Sequence, residues 1–485
     1  MSKDQIIAEL VAEKDQLNAD NISLKHELAQ LKKLIWGSTS EKYRTTNEAD
    51  DQLNLFGQSI ETNVAKKENE QCSVPITYTR SKPKKKHPGR HPLPSHLPIE
   101  EVVIEPEQDT EGLTKISDEI TDTLEYTPAS LVIKRTIRPK YATKDEQGIL
   151  IGNLPCRPLP KSIAESSLLT HIFVSKFVNH LPFYRQRQIF KRDYEWKISS
   201  STINDWFIQT CTLLEPLYNR LQEKILSSGY IQADESPIKV QDKEKKGKTH
   251  QGYQWVYHAP VQKLILFNYR KGRGMQGPKE ILSNYQGILQ CDGYTVYDKI
   301  GKAKGITLAG CLVHVRRYFI NALESEKTKA EYALDLFSKM YAAEQIAKES
   351  VDRKVYRENH IKPLLLELRK WIDEQSIHVL PKSLLGKAMS YTIKQWDKLV
   401  NIFEDGIIEL DNNLIENKIR PLALGRKNYL FAGSHAAGQR IAMMYSFFAS
   451  CAANDINPSI WLKHVLDNIA ETSIKNLDQL LPNNQ

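Results

Sequence analysis

Two short apolar runs, Tyr230-Ile231-Gln232-Ala233-Asp234 and Gly287-Ile288-Leu289-Gln290-Cys291-Asp292, read as buried strands, and each closes on an aspartate. A lone carboxylate in such a place costs several kcal/mol unless it is paired or bound to a cation. Two explanations are open. Each aspartate can cap the turn or helix that comes after it by accepting backbone N–H bonds, and taken singly this is the commoner use of the residue. If instead the two strands are neighbours in one sheet, their carboxylates converge at one edge and can bridge two Mg²⁺ ions about 3.5 to 4 Å apart.

The surrounding pattern favours a sheet. Tyr253 to His258 and Leu264 to Tyr269 are further strand-like runs, so three successive strands form a meander. The charged stretch from Asp242 to Lys248 reads as a solvated loop between the first two, and Gly277 to Tyr285 as a helix leading into the second aspartate run. A third acidic element is Asp411-Asn412-Asn413-Leu414-Ile415-Glu416-Asn417-Lys418-Ile419-Arg420-Pro421. Here Asp or Asn caps a short helix that Pro421 is expected to end, and Glu416 shares a face with Arg420. Such a pair usually belongs to the surface. Facing the two strand ends, Glu416 would complete an oxygen-only site suited to Mg²⁺ or Mn²⁺ rather than zinc.

At 485 residues the chain exceeds one ordinary domain, since domains run to roughly 100 to 200 residues. Residues 1–36 carry Leu10, Leu17, Leu24 and Leu31 in a heptad with Ile7, Lys14, Asn21, Leu28 and Ile35, which predicts a coiled coil and a homo-oligomer. Residues 37–98 lose periodicity and end in a proline-spaced basic stretch; we expect a flexible linker whose Lys84, Lys85, Lys86 and Arg90 suit phosphate contact. Residues 99–155 read as a small β module, Leu131 to Ile137 being one of its strands. Residues 156–226 read as helical, with serine caps before Thr202 and a helix-turn-helix-like hairpin, which makes Arg187, Thr202 and Asn204 candidates for DNA contact. The catalytic stretch is placed at 227–435 and a helical C-terminal region at 436–485, where Met443 to Phe448 read as core.

A net charge of +8 and pI near 8.9 agree with a polyanionic partner such as DNA. Six scattered cysteines without a Cys-x-x-Cys pair, and no apolar run of about 18 residues, predict a cytoplasmic, nucleoid-associated protein with no membrane span.

Several ordered motifs then carry a family likeness: His180-Leu181-Pro182-Phe183-Tyr184-Arg185-Gln186, Ala233-Asp234-Glu235-Ser236-Pro237, Cys291-Asp292-Gly293-Tyr294, Cys311-Leu312-Val313-His314-Val315-Arg316-Arg317-Tyr318-Phe319, Asp411 to Glu416, and Gly425 to Ser434. Over nearly its whole length the chain resembles the insertion-sequence-66 family of transposases. The resemblance implies a multidomain α+β protein with a ribonuclease H-like catalytic core, interrupted by a helical insertion at about 324–396. It implies a DDE-type enzyme that cleaves DNA at mobile-element ends and joins them to a target, with Asp234, Asp292 and Glu416 as acidic triad and metal ligands. It places His314 near the reaction centre, and it implies small accessory proteins. Arg270, Lys271, Arg273, Arg426 and Lys427 flank the expected active edge and are candidates for phosphate contact. One departure matters. The family's zinc module has two Cys-x-x-Cys pairs where this sequence has none between Glu105 and Gly148, so the β module is expected to bind no zinc. A metal-dependent nuclease without strand transfer, or an inactive dimeric DNA-binding regulator, remain the rival readings.

Overall fold

The computed structural model describes residues 131, 133, 140–142, 149–151, 157–160, 162–242 and 248–484. The expected coiled coil and the basic linker, with Lys84, Lys85, Lys86 and Arg90, lie outside the described residues. Of the small β module, the described part is an antiparallel pair, β1 (Lys140–Ala142) and β2 (Ile149–Ile151), in register Tyr141 to Leu150. Leu131 and Ile133, read from sequence as strand residues, belong to no strand, and Ile133 is fully open to solvent.

Among the described residues, three helices precede the main sheet: α1 (Ser166–Phe177), α2 (Phe183–Tyr194) and α3 (Ser200–Leu226). Ser199 caps α3 by accepting the Thr202 N–H at 3.0 Å, as the serine run predicted. Ile203, Trp206, Phe207, Leu214, Leu217, Leu221 and Ile225 form the buried stripe of α3, at helical spacing. Within the HLPFYRQ motif, Gln186 has a structural role. Gln186 is buried and donates to the carbonyls of Ile172 and Leu181, at 3.0 and 2.9 Å, which locks the turn between α1 and α2.

The main sheet has β3 (Tyr230–Gln241), β4 (Thr249–Ala259), β5 (Leu264–Arg270), β6 (Gly287–Gln290) and β7 (Ile306–Ala309), in the order β5-β4-β3-β6-β7. The first three make the expected antiparallel meander, while β6 and β7 run parallel to β3. The parallel strands are reached through α4 (Gln276–Ile281) and α5 (Thr295–Ile300).

Three expectations are corrected. β3 does not stop at Asp234 but continues to Gln241, because β4 keeps pairing with it after β6 has ended. Pro237 is tolerated inside that strand: Lys239 and Gln241, of the same parity, bond Ala432 on the side away from β4, so the missing N–H costs no β3–β4 bond. From sequence, the apolar run from Ile306 to Val313 leads into a helix that starts at His314; in the structure it divides into β7 and a helix, α6 (Leu312–Ala322), that starts two residues earlier.

After α6 come α7 (Lys327–Glu349), α8 (Arg353–His360), α9 (Lys362–Gln375) and α10 (Leu384–Val400), an all-helical excursion with a core of its own around Phe319, Phe337, Leu368 and Met389. The chain returns through α11 (Asn413–Tyr429), α12 (His435–Ala453) and α13 (Pro458–Asn468). The third correction lies in α11, which passes straight through Pro421. An interior proline costs about 3 kcal/mol, and the helical turns beyond it are anchored: Leu422 and Gly425 are buried, and Arg426 donates to Ser236 Oγ at 2.9 Å and to the Pro237 carbonyl at 2.5 Å on β3.

A single core runs from Leu159 to Leu481 and takes in α1–α3, the sheet and α12–α13. α12 also blunts the edge of the sheet. Its Ser446 and Ser450 accept the N–H groups of Phe267 and Ile265 on β5, at 2.7 and 2.9 Å. The pairing works because four helical residues rise about 6 Å and two strand residues about 6.8 Å. Gly425 is where α11 meets α12: a Cβ there would overlap the hydroxyl of buried Tyr445. Gly425→Ala should therefore cost about 1 to 3 kcal/mol through overpacking, read as a lowered denaturant midpoint with an unchanged slope.

Candidate active site

The β3–β6 register sets the two aspartates. Gln232 is paired with Gln290, and each glutamine stands two residues before its aspartate, so Asp234 and Asp292 leave adjacent parallel strands at equivalent positions on one edge. Asp234 is held within β3, and its Oδ1 accepts the Glu235 N–H at 2.7 Å. Asp292 lies just past β6, where Oδ1 accepts the Tyr294 N–H at 2.9 Å. Asp292 thus does cap its turn. Burial first, then the charge of Glu235, then those of Asp292 and Glu416 hold the Asp234 carboxyl well above the usual carboxylate range. The three acids from β3, β6 and α11 therefore share one electrostatic neighbourhood.

Glu416 reaches it from the first turn of α11. Cys311, at the start of α6, donates to Asn412 Oδ1 at 2.9 Å, and Leu312 N–H to the Leu410 carbonyl at 3.0 Å, so α6 and α11 begin side by side. That brings His314 Nε2 to 3.8 Å and Arg317 Nη2 to 3.7 Å from the Glu416 carboxylate. His314 Nδ1 faces Cys311 Sγ at 3.2 Å. Two groups beside Glu416 are thus on α6; Arg420, expected to share its face of the helix, is exposed.

Beneath the carboxylates lies a buried polar network that sequence reasoning missed. Tyr230 Oη donates to Gln290 Oε1 at 2.5 Å, and Gln232 Nε2 donates to the same oxygen at 2.9 Å and to the Asp411 carbonyl at 3.1 Å. Gln290 Nε2 donates to the carbonyls of Gly310 and Glu409, at 2.9 and 2.7 Å. The network fastens the chain entering α11 to the two strands that carry the aspartates, and so positions Glu416. A signal was present: glutamine inside an apolar strand needs a partner, and Gln-x-Asp recurs in both runs.

Glu235 was missed as well. Its side chain is almost fully buried; Arg273 donates to Oε1 at 2.8 and 2.5 Å and Tyr297 to Oε2 at 3.2 Å. Arg273 also lies over the Tyr294 ring, 4.2 Å from its centre, so it clamps the segment after Asp234 to the segment after Asp292. The other expected phosphate ligands vary. Arg270 is engaged by Glu280 at 2.6 Å and Asn268 at 2.8 Å, and Arg426 by β3, while Lys271 and Lys427 are exposed. In the helical region Arg187 donates to the Ile198 carbonyl at 2.8 Å, Thr202 bonds Ser199, and Asn204 is exposed and donates to the Ser200 carbonyl. Among the described residues, no three His, Cys, Asp or Glu side chains are gathered tightly enough to hold one ion. The donor set nevertheless fits a hard cation: oxygen ligands only, with like charges raising the affinity of Asp234 for positive charge.

Residues 161–440, more than half of the chain, match the family described as "Transposase IS66 family". The chain belongs to the IS66 family of transposases. Residues 446–483 match the IS66 C-terminal element, and residues 23–102, spanning part of the heptads and the basic linker, match the description "Transposase C of IS166 homeodomain". Two similar proteins of Sinorhizobium fredii are both called uncharacterized. Protein y4jD is 31% identical over 504 residues, covering 96% of this chain and 95% of that protein. Protein y4qI is 28% identical over 487 residues, covering 96% of this chain and 89% of that protein. Membership identifies an IS66 DNA-binding transposase of an insertion sequence, and the family implies use of a divalent metal. No helix among the described residues is long and apolar enough to cross a membrane.

Proposed function

We propose that this IS66 transposase is a DDE-type enzyme whose ribonuclease H-like domain, 227–435, cleaves phosphodiester bonds at the ends of its element and joins them to target DNA. The observation that carries the reading is the Gln232–Gln290 register, which sets Asp234 beside Asp292. The strand order, a three-stranded meander extended by two parallel strands, supports the ribonuclease H-like assignment. Asp234, Asp292 and Glu416 are the residues that would hold Mg²⁺ or Mn²⁺. Bound there, two such ions would activate an attacking water and stabilise charge on the leaving 3′ oxygen. The protein's own part is placement. The glutamine network fixes Glu416 against both strands, Arg273 fixes the two aspartate segments, and His314 and Arg317 stand at Glu416, ready to meet a phosphate. The freed 3′-OH then attacks the target strand. Lys84, Lys85, Lys86, Arg90, Arg187, Thr202, Asn204, Arg270, Lys271, Arg273, Arg426 and Lys427 are the proposed DNA contacts, with self-association through the N-terminal heptads. The β module is proposed to do without zinc.

The test is incubation of the protein with DNA carrying the element ends and Mg²⁺ or Mn²⁺. Joined products support the reading, cleavage alone reduces it to a nuclease, and binding without either reduces it to a regulator. A second check uses stability. A native carboxyl pKa raised above its unfolded value means that the folded state binds more protons, so stability falls as pH rises above the ordinary carboxylate value and the penalty persists at neutral pH. Asp234→Asn should thus raise the melting temperature at pH 7 and not at pH 3. Mn²⁺ should stabilise the wild type and leave this variant unmoved.

A further inference from the structure

Helix α6 presents more to the site than His314. His314, Arg317 and Tyr318 are spaced i, i+3, i+4 and share one helical face. The first two stand at Glu416, so Tyr318 belongs to the same face, about one turn or 5.4 Å along. Its ring lies flat on that of Tyr391 from α10, with centroids 4.4 Å apart and planes 23° from parallel. Tyr391 in turn abuts the main chain next to Asp292: a Cβ built on Gly293 would stand 2.6 Å from its hydroxyl oxygen. The two-ring stack therefore starts at the Asp292 turn and ends on Tyr318. Tyr391 covers one face of that outer ring, yet 38% of Tyr318 is exposed, unlike the core aromatics of the excursion such as Phe319 and Phe337.

We infer that Tyr318, backed by Tyr391, is a stacking platform for an unpaired DNA base beside the bond being cut, an inference that rests on the proposed DNA chemistry of this site. A preassembled aromatic stack next to arginines is the arrangement that takes up unpaired bases: rings hold the base, cations the backbone. Arg316 and Arg317 precede Tyr318 on α6. A duplex keeps its base faces buried in its own stack, so the ligand is a nucleotide extruded from the helix or single-stranded at the cleaved end. Stacking on one ring also tolerates any base, which assigns the platform to geometry at the cut rather than to reading of sequence.

The probe is a DNA duplex ending in a short single-stranded tail, with 2-aminopurine at the first unpaired position, titrated with the full-length protein beside a blunt duplex. We expect fluorescence quenching and about tenfold tighter binding of the tailed DNA. Tyr318→Ala should abolish both and leave blunt-duplex binding unchanged, while Tyr318→Trp should keep both, which separates loss of stacking from loss of folding. Quenching by Tyr318→Ala equal to that of the wild type, or equal affinity of the wild type for the two DNAs, would overturn the inference. Asp292→Asn should still quench: if the wild type cuts DNA and Tyr318→Ala still quenches, the platform alone fails, and if neither DNA binds, the platform falls together with the function it rests on.

Discussion

Asp292→Asn is expected to lower strand cleavage about a thousandfold, the equivalent of some 4 kcal/mol of lost stabilisation in the transition state. Asp292 has one observed role, capping its turn, and one proposed role, as a metal ligand beside Asp234. Its Oδ1 caps the turn by accepting the Tyr294 N–H, and an asparagine oxygen accepts that bond nearly as well. If capping were the whole role, the variant would cut DNA at close to the normal rate. If the charge beside Asp234 matters, cutting disappears while folding and DNA affinity stay within a few-fold of the wild type. Gel assays of cleavage and of binding on the same end-bearing DNA decide between them, and retained cutting would sink the triad.

Arg357→Ala should cost the excursion about 3 to 5 kcal/mol. Arg357 has no exposed surface, and Glu344, also buried, receives its guanidinium through bonds of 2.6 and 2.8 Å. A third bond of 2.5 Å reaches the Ile408 carbonyl. Burial opposes ionisation of Glu344, but the bonds from Arg357 and Arg353 outweigh it and hold the carboxyl below its ordinary value. Removing Arg357 strands most of that charge away from water. Arg357→Met, which fills the volume without ionic character, should be less stable than wild type but well above the alanine variant when Glu344 is changed to Gln alongside it. With the native carboxyl lowered, the stabilisation is present above the ordinary glutamate value and lost as pH falls through the native one, so the excursion should open first in acid. Hydrogen exchange over α7 and α8 provides the measurement. Activity should suffer too, since Arg353 joins Glu344 to Glu409, whose backbone bonds Tyr230 and Gln290 under the site.

The parts of this structure that obey short-range rules could be read directly. The meander of β3, β4 and β5 came from strand-like composition and the cap of α3 from its serines, while the helical excursion was expected from the family resemblance. What escaped the sequence depended on partners far along the chain. Tyr230 to Asp234 reads as a complete strand because the run of buried residues ends there; its continuation to Gln241 is specified by β4, not by the residues themselves. Pro421 reads as a stop because local chemistry says so, and only the anchorage of Leu422, Gly425 and Arg426 overrides it. At the site the same division holds. Two aspartates could be suspected from position, but Glu416 looked like a surface residue beside Arg420, and only the packing of α6 on α11 brings His314 and Arg317 to it. Glu235 was hidden by its neighbour, since alternation sends it to the opposite face of the strand, where Arg273 and Tyr297 wait.

Gln290 has one further consequence. Its amide holds the Gly310 and Glu409 carbonyls together, so everything between those two residues starts and ends at a single pinched neck between β7 and α11. A loop tied at its base costs only about 0.6 kcal/mol more for each doubling of its length. Beyond α6 the excursion is therefore free to lengthen, shorten or be exchanged as a cassette, provided that the neck, the Arg353 link from Glu344 to Glu409 and the contacts of α10 at its rim are kept. Variation among relatives should concentrate there, while Tyr230, Gln232 and Gln290 hold the spacing of the carboxylates constant.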